Sequence, residues 1–269
     1  MHRFRSRSGG ARARVERLLA RRLMARSNAR IRGPWSGSHN EWSLIHEARA
    51  RPLAEMAPLL DLLADVSRWI REEGPACLED PRFPPAAAIC PGEHYLLLRA
   101  ICDVVGPSRV VEIGTASGGS AAVMLTSRRV DRIDTYDVEP WDRSSWGRSL
   151  LRVEDFGERL EQHVVDLGDA AAFDAHVNRL ARADLVFADG PKDGVFEQRF
   201  LPKLLTVLEG GAGDRPALVV LDDIRVRPMQ ELWRDVTLPK MDFVTLGHFS
   251  GTGVILVSRS TEPRKALER

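Results

Sequence analysis

Lysine, cysteine and tyrosine are scarce in this chain of 269 residues, which contains four, three and two of them. No apolar run approaches the roughly 18 residues needed to span a bilayer, so we expect a soluble, cytoplasmic protein without a membrane partner. The cysteines, Cys77, Cys90 and Cys102, lie far apart and include no CxxC pair. This spacing argues against a zinc site and against a disulfide framework, and it fits a reducing compartment.

A large excess of charge of one sign is also absent, because the formal net charge is +1, but the charges are unevenly placed. Residues 1–32 contain eleven arginines and a single acidic residue, Glu16. Such a start is typical of a transit peptide or of a nucleic-acid-binding arm, and it equally suits a mobile basic helix. We favour the basic helix and expect no nucleic-acid partner.

The sequence changes in character after its first third, which predicts an N-terminal helical extension over 1–91 and a second domain over 92–269. Apolar residues recur at helical spacing in 11–26 and in 58–74, where Gly74 is the predicted end of the helix. We expect the extension to cover a substrate as a lid, and its apolar helix faces offer a homodimer contact.

Short apolar strands alternate with helices throughout the second domain. Strands are predicted over 109–114, 132–137, 161–166, 184–189 and 217–223, followed by two terminal strands within 242–249 and 251–259. This alternation predicts an α/β fold with a doubly wound, mostly parallel seven-stranded sheet, in which the last two strands form a hairpin.

A glycine-rich turn, "VVEIGTASGGS", places Gly114, Gly118 and Gly119 between the first strand and its helix. Glycines at this point let the backbone approach a ligand closely. Asp137 ends the second strand, beside this turn in an open α/β sheet, where a carboxylate can accept both ribose hydroxyls. The glycine turn, the small-residue helix and Asp137, spaced as one βαβ unit, favour an adenosine-containing ligand. The motif is not GxGxxG, which argues against a nicotinamide dinucleotide.

The stretch "EIGTASGGSA" resembles the glycine motif of class I S-adenosylmethionine-dependent methyltransferases. The resemblance covers about residues 92–259 and implies a Rossmann-like methyltransferase fold with S-adenosylmethionine as the cofactor. It implies that the cofactor-binding residues are Glu112, Gly114 and Ser120 at the methionine end with Ser117 and Gly118 in the same turn, Asp137 at the ribose, Asp166 and Gly168 beside the adenine, and Asp189.

Acidic residues end two strands that should be neighbours in the sheet: Asp189 ends the fourth, and Asp222 and Asp223 end the fifth. Three converging carboxylates repel one another unless a cation lies between them. A hard divalent ion with oxygen ligands, above all Mg²⁺, suits such a place. Asp222 and Asp223 can alternatively open a loop or cap the next helix.

The stretch "DGPKD" at 189–193, followed by "DD" at 222–223, resembles the metal-dependent O-methyltransferases of the catechol and caffeoyl-CoA type. That resemblance implies that Asp189, Asp222 and Asp223 bind Mg²⁺ or another divalent cation and that Lys192 is the general base. The family often has Asn where this chain has Asp223, which adds a negative charge. A lysine whose pKa is depressed by a cationic neighbour or by burial can take a hydroxyl proton at neutral pH.

We therefore predict a divalent-metal-dependent O-methyltransferase acting on a hydroxyl of a small molecule, either phenolic or catechol-like or a natural-product intermediate. Three alternatives stay open: a metal-independent methyltransferase of the same fold, a nicotinamide-dependent oxidoreductase, and a non-catalytic protein that binds partners through its basic N-terminus. Lys192 has an alternative too, as a solvated loop lysine paired with Asp193.

Overall fold

The structure is a computed structural model, and it describes residues 53–83, 93–145, 157–211, 213–247 and 250–259. The helix predicted over 11–26 lies outside the described residues. Among the helices in the described ranges, none is both long and apolar enough to cross a membrane.

The described residues form six α-helices and seven strands. The helices are α1 (Leu53–Glu79), α2 (Glu93–Val105), α3 (Gly119–Leu125), α4 (Ala170–Leu180), α5 (Phe196–Glu209) and α6 (Arg227–Asp235). The strands are β1 (Arg109–Ile113), β2 (Arg132–Asp137), β3 (Leu160–Val164), β4 (Leu185–Ala188), β5 (Ala217–Asp222), β6 (Lys240–Asp242) and β7 (Thr252–Val257).

All seven strands belong to one sheet, in the order β3-β2-β1-β4-β5-β7-β6. The first five are parallel to one another, and β7 runs antiparallel to both β5 and β6. This arrangement confirms the predicted seven-stranded, mostly parallel sheet and its terminal antiparallel pair. The strand order reverses between β1 and β4, so a crevice opens at the carboxyl ends of these two strands, where open α/β sheets bind ligands.

The sheet is covered on both faces, because successive residues of a strand point to opposite sides. In β4, Leu185 and Phe187 join a buried cluster that includes residues of α1, α2 and α3. Val186 and Ala188 join a second cluster with residues of α4, α5 and α6. Strands buried on both sides contain few polar residues, which explains the continuous apolar runs in the sequence.

Helix α1 is longer than the predicted 58–74, because it continues through Gly74 to Glu79. Gly74 therefore does not end the helix. A Cβ atom at this position would lie 3.3 Å from the side chain of Leu96 in α2. The glycine thus allows two helices to pack closely, a requirement that the sequence of α1 alone does not reveal.

Strand β6 lies earlier than the predicted 242–249, since it covers Lys240–Asp242 and shares only Asp242 with that range. The carboxylate of Asp242 accepts a hydrogen bond from the backbone N–H of Val244 at 2.8 Å. The N–H of Leu246 donates to the carbonyl oxygen of Phe243 at 2.8 Å. These bonds turn the chain, because an aspartate at a strand end competes with the ladder for backbone donors.

Candidate active site

Three loops at the carboxyl edge of the sheet contain a non-glycine residue with positive φ. These residues are Ala116 after β1 (φ 47°), Lys192 after β4 (φ 57°) and Asp223 after β5 (φ 59°). Such torsions cost about 1–3 kcal/mol each and persist only where the surrounding structure enforces them. Their grouping beside the point where the strand order reverses marks this edge as the candidate site.

The glycine turn brings β1 and β4 into close contact at this edge. Gly114 has φ 94°, and a Cβ atom there would overlap the backbone carbonyl of Asp189. Gly118 has φ 79°, and its N–H donates to the carbonyl oxygen of Thr115 at 2.7 Å. Both glycines are therefore required by the backbone itself, and their role in cofactor binding remains a prediction.

Asp137 lies beside the glycine turn, where the sequence placed it. Its carboxylate accepts hydrogen bonds from the backbone N–H groups of Ala116 at 2.8 Å and Glu139 at 3.2 Å. Ser117 follows in the same turn and is partly buried. The carboxylate is thus fixed in orientation at the end of β2, facing the turn that would carry a nucleoside.

Glu112 is fully buried beneath the turn, near the end of β1. Its carboxylate accepts hydrogen bonds from the hydroxyls of Ser120 and Thr135, the latter at 2.6 Å. Burial raises the pKa of Glu112 to about 7, although the two hydroxyls lower it. The buried carboxyl thus holds its proton more tightly than a free glutamate does, and a cationic group placed near it would favour the charged form.

The turn after β3 contains the residues predicted to border an adenine. The exposed Asp166 accepts a hydrogen bond from the backbone N–H of Gly168 at 2.7 Å. Asp169 caps α4 by accepting from the N–H of Ala172 at 2.9 Å. The local structure of the turn accounts for these residues on its own, so their contact with a cofactor remains a prediction.

Lys192 lies among the three acidic residues that end β4 and β5. Its Nζ atom is 2.5 Å from Oδ1 of Asp189, 3.1 Å from Oδ2 of Asp223 and 3.9 Å from Oδ2 of Asp222. The structure therefore brings together all four residues that the acidic pattern singled out. The positive charge between the carboxylates is the ammonium group of Lys192.

The environment of Lys192 also fixes the direction of its pKa shift. Burial alone lowers the pKa of Lys192, but the negative charges of Asp189, Asp222 and Asp223 outweigh it, so the pKa is raised above its usual value. The depressed pKa expected for a lysine beside a bound cation is not what the three carboxylates alone produce, and for the metal-bound protein it stays a prediction. Here Lys192 is a charged ion-pair partner, and it can accept a proton only after another cation offsets the carboxylates.

The loop that carries Lys192 is held by α5. Glu197, which is only 3% exposed, accepts hydrogen bonds from the backbone N–H groups of Lys192 at 2.7 Å and Gly194 at 3.2 Å. Asp193 accepts from the N–H groups of Val195 and Phe196, at the start of the helix. Lys192 is buried against Asp189, so its alternative pairing with Asp193 in solvent is wrong.

Hydroxyl groups from the start of β7 support the acidic pair after β5. The hydroxyl of the buried Ser250 donates to Oδ1 of Asp223. The hydroxyl oxygen of Thr252 lies 3.3 Å from Oδ1 of Asp222. Nothing in the local sequence of either residue signals this role, because antiparallel pairing of β5 with β7 brings them together.

Helix α2 contributes two further groups, from its first turn. A ring nitrogen of His94 and carboxylate oxygens of Asp189 and Asp222 all lie within 4.8 Å of one another. The adjacent Tyr95 has a pKa raised by burial and by the charges of Asp189, Glu112 and Asp222. Neither residue could be assigned to the site from the sequence, since a helix start with His and Tyr carries no motif.

Comparison with known proteins gave structural matches only: no family model and no curated protein matches this chain. The O-methyltransferase TomG from Streptomyces achromogenes is 24% identical, with 73% of this chain and 89% of that chain covered and a TM-score of 0.43. An O-methyltransferase from Bacillus cereus has 16% identity, 72% and 91% coverage and a TM-score of 0.42. A methyltransferase from Geobacter sulfurreducens has 17% identity, 73% and 89% coverage and a TM-score of 0.45. The strand order and directions confirm the predicted α/β fold with a doubly wound, mostly parallel seven-stranded sheet.

Proposed function

We propose that this protein transfers a methyl group from S-adenosylmethionine to a hydroxyl group of a small molecule. The observation that carries the proposal is the direct contact between the glycine turn and the acid–lysine cluster, which consists of Asp189, Lys192, Asp222 and Asp223. The N–H of Asp189 donates to the carbonyl oxygen of Ile113 at 2.8 Å, and Gly114 packs against the backbone of Asp189. Methyl transfer needs the cofactor and the activated acceptor side by side, and this contact supplies the adjacent sites.

The cofactor subsites follow the order of the strands. We place the ribose at Asp137, whose carboxylate is already oriented beside the turn. We place the cationic methionine end above Glu112 and Ser120, because a positive charge favours the ionised form of this buried acid. We place the adenine beside the turn formed by Asp166 and Gly168.

The cation site is the second part of the proposal. The carboxylates of Asp189, Asp222 and Asp223 converge on one ammonium group, so their donor type and their convergence suit a divalent cation such as Mg²⁺. Such an ion, when bound, lowers the pKa of a coordinated hydroxyl, which for a free phenol is about 10. With the carboxylates neutralised, the pKa of Lys192 falls, and its amine can take the proton of the acceptor.

A metal-independent methyltransferase is the second candidate, and one observation favours it. The ammonium of Lys192 already provides the cation between the carboxylates. Lys192 would then orient an acceptor and stabilise its developing negative charge as a hydrogen-bond donor. Treatment with a chelator separates the two candidates. Loss of turnover that Mg²⁺ restores supports the metal-dependent reaction, whereas unchanged turnover supports the second.

Calorimetric titration with S-adenosylhomocysteine and with NAD tests the cofactor assignment. We expect S-adenosylhomocysteine to bind and NAD not to bind; the reverse result would establish an oxidoreductase instead. Phenolic, sugar and polyketide acceptors are then screened with S-adenosylmethionine labelled in its methyl group. Incorporation of label into a hydroxyl group is the expected result. Absence of binding to either cofactor would favour the non-catalytic alternative.

A further inference from the structure

We propose that His94, rather than Asp223, is the third protein ligand of the divalent cation, together with Asp189 and Asp222. The resulting site has one nitrogen and two oxygen donors. It would select a first-row transition ion such as Mn²⁺ or Co²⁺ over Mg²⁺. The inference rests on the proposed function only in giving the ion a role in methyl transfer. The ligand set itself is argued from the geometry of the side chains.

The distances allow the three donors to meet at one ion. The ring nitrogen of His94 and the carboxylate oxygens of Asp189 and Asp222 lie within 4.8 Å of one another. Donors bound at about 2.1 Å in octahedral geometry are about 3 Å apart when adjacent and about 4.2 Å apart when opposite. Small side-chain rotations are therefore enough to bring all three to bonding distance.

The His94 ring is held in place, as a ligand must be. It is 7% exposed, and its centroid lies 4.2 Å from the ring of Tyr95 and 6.0 Å from that of Phe187. Asp222 is 3% exposed, whereas the side chain of Asp189 is 36% exposed. The site is thus closed on the side of His94 and Asp222 and open on the side of Asp189, where an acceptor can enter.

Asp223 is engaged in a different way. One of its oxygens accepts the hydroxyl of Ser250, and the other lies 3.1 Å from Nζ of Lys192. If Asp189 turns from Lys192 to the ion, Asp223 remains as the counter-ion of the lysine. The two adjacent aspartates therefore have different roles in this proposal. Asp222 binds the ion, and Asp223 stays paired with Lys192 next to the ion.

The donor set determines which metals are preferred. Mg²⁺ prefers oxygen donors, whereas an imidazole nitrogen suits first-row transition ions. For such sites the affinity increases from Mn²⁺ to Co²⁺. We therefore expect the full chain to bind Co²⁺ more tightly than Mn²⁺, and Mn²⁺ more tightly than Mg²⁺.

The experiment measures the nitrogen ligand directly. The full chain is loaded with Mn²⁺, and pulsed electron paramagnetic resonance is used to detect coupling of the ion to a ¹⁴N nucleus. We expect this coupling in the unchanged protein and in Asp223→Asn, and its loss in His94→Gln. In Co²⁺ titrations we expect His94→Gln to weaken binding about tenfold or more, and the matched control Asp223→Asn to weaken it much less.

Three results would overturn the inference: bound Mn²⁺ without nitrogen coupling, a larger loss of Co²⁺ affinity in Asp223→Asn than in His94→Gln, or no binding of either ion. The spectrum of the unchanged protein decides the first of these even if a variant fails to fold. Titration with S-adenosylhomocysteine is run on the same samples. A protein that binds it without binding metal refutes this inference alone, whereas one that binds metal through His94 but not this nucleoside refutes the proposed function alone.

Discussion

The ammonium nitrogen of Lys192 lies 2.5 Å from a carboxylate oxygen of Asp189, and the two residues are only three positions apart in the chain. The pair is buried on the side of Lys192, whose side chain is 9% exposed, and open on the side of Asp189. A divalent cation bound at the proposed site would therefore compete with this lysine for the same carboxylate. Release of Lys192 from Asp189 is what would convert a charged ion-pair partner into a base.

Replacement of Lys192 by Ala tests this competition. We expect turnover to fall by at least about 10²-fold, because the group that removes the acceptor's proton, or that stabilises the negative charge developing on its oxygen, is lost. We expect the affinity for S-adenosylhomocysteine to be nearly unchanged, and Mn²⁺ to bind more tightly because no ammonium opposes it. Steady-state kinetics and calorimetry measure these quantities. The control is Lys203→Ala, which changes an exposed lysine of α5. Retained turnover in Lys192→Ala would remove Lys192 from the mechanism.

Glu197 positions the loop of Lys192, so its replacement should affect activity as well as stability. Glu197→Ala leaves the buried N–H groups of Lys192 and Gly194 without their acceptor, which costs about 1–3 kcal/mol of unfolding free energy. We expect turnover to fall together with the stability. Glu197→Gln should recover part of the lost turnover and part of the lost stability, because an amide oxygen still accepts a hydrogen bond. Urea unfolding and kinetics are compared with Glu231→Ala, an exposed position of α6. Full turnover in a folded Glu197→Ala would exclude the positioning role.

The raised pKa of Glu112 predicts that the stability of the folded protein depends on pH. Its folded-state pKa of about 7 lies above the ordinary value of 4.5, mainly because the group is buried. The folded protein therefore holds this proton more tightly than the unfolded chain, and the resulting stabilisation is lost as the pH rises from about 4.5 to about 7. The loss amounts to about 3 kcal/mol at most. Unfolding of the wild type and of Glu112→Gln at several pH values isolates it, and parallel pH profiles would contradict the prediction.

Gly114 should not tolerate a side chain, and Gly157 provides a matched control. Both have positive φ, of 94° and 54°, so replacement of either by Ala strains the backbone and destabilises the fold. A Cβ at Gly114 would also overlap the backbone of Asp189, whereas at Gly157 no atom of the described residues lies within 4 Å. We expect Gly157→Ala to cost about 1–2 kcal/mol and Gly114→Ala clearly more, with weaker cofactor binding. Equal losses in urea unfolding would show that the close approach of β1 and β4 is unimportant.

The fold and the identity of the acidic cluster follow largely from local patterns in the sequence. Continuous apolar runs are typical of strands buried on both faces, and a period of 3.6 residues is typical of helices, so seven strands and their order along the chain could be predicted. Asp137 and Asp189 could be placed because strand ends in a parallel sheet share one edge. The predicted end of α1 at Gly74 was wrong, because this glycine allows close packing against α2 and the helix continues through it.

Which distant groups meet this cluster, and how its members are charged, depends on contacts that form only on folding. His94, Glu197 and Ser250 come from three separate parts of the chain. They reach Asp222, the backbone of Lys192 and Asp223, respectively, through packing and strand pairing, which no local pattern encodes. The direction of the pKa shift of Lys192 is the outcome of burial opposed by three negative charges. That balance depends on distances between residues of two strand ends, and such distances exist only in the folded chain.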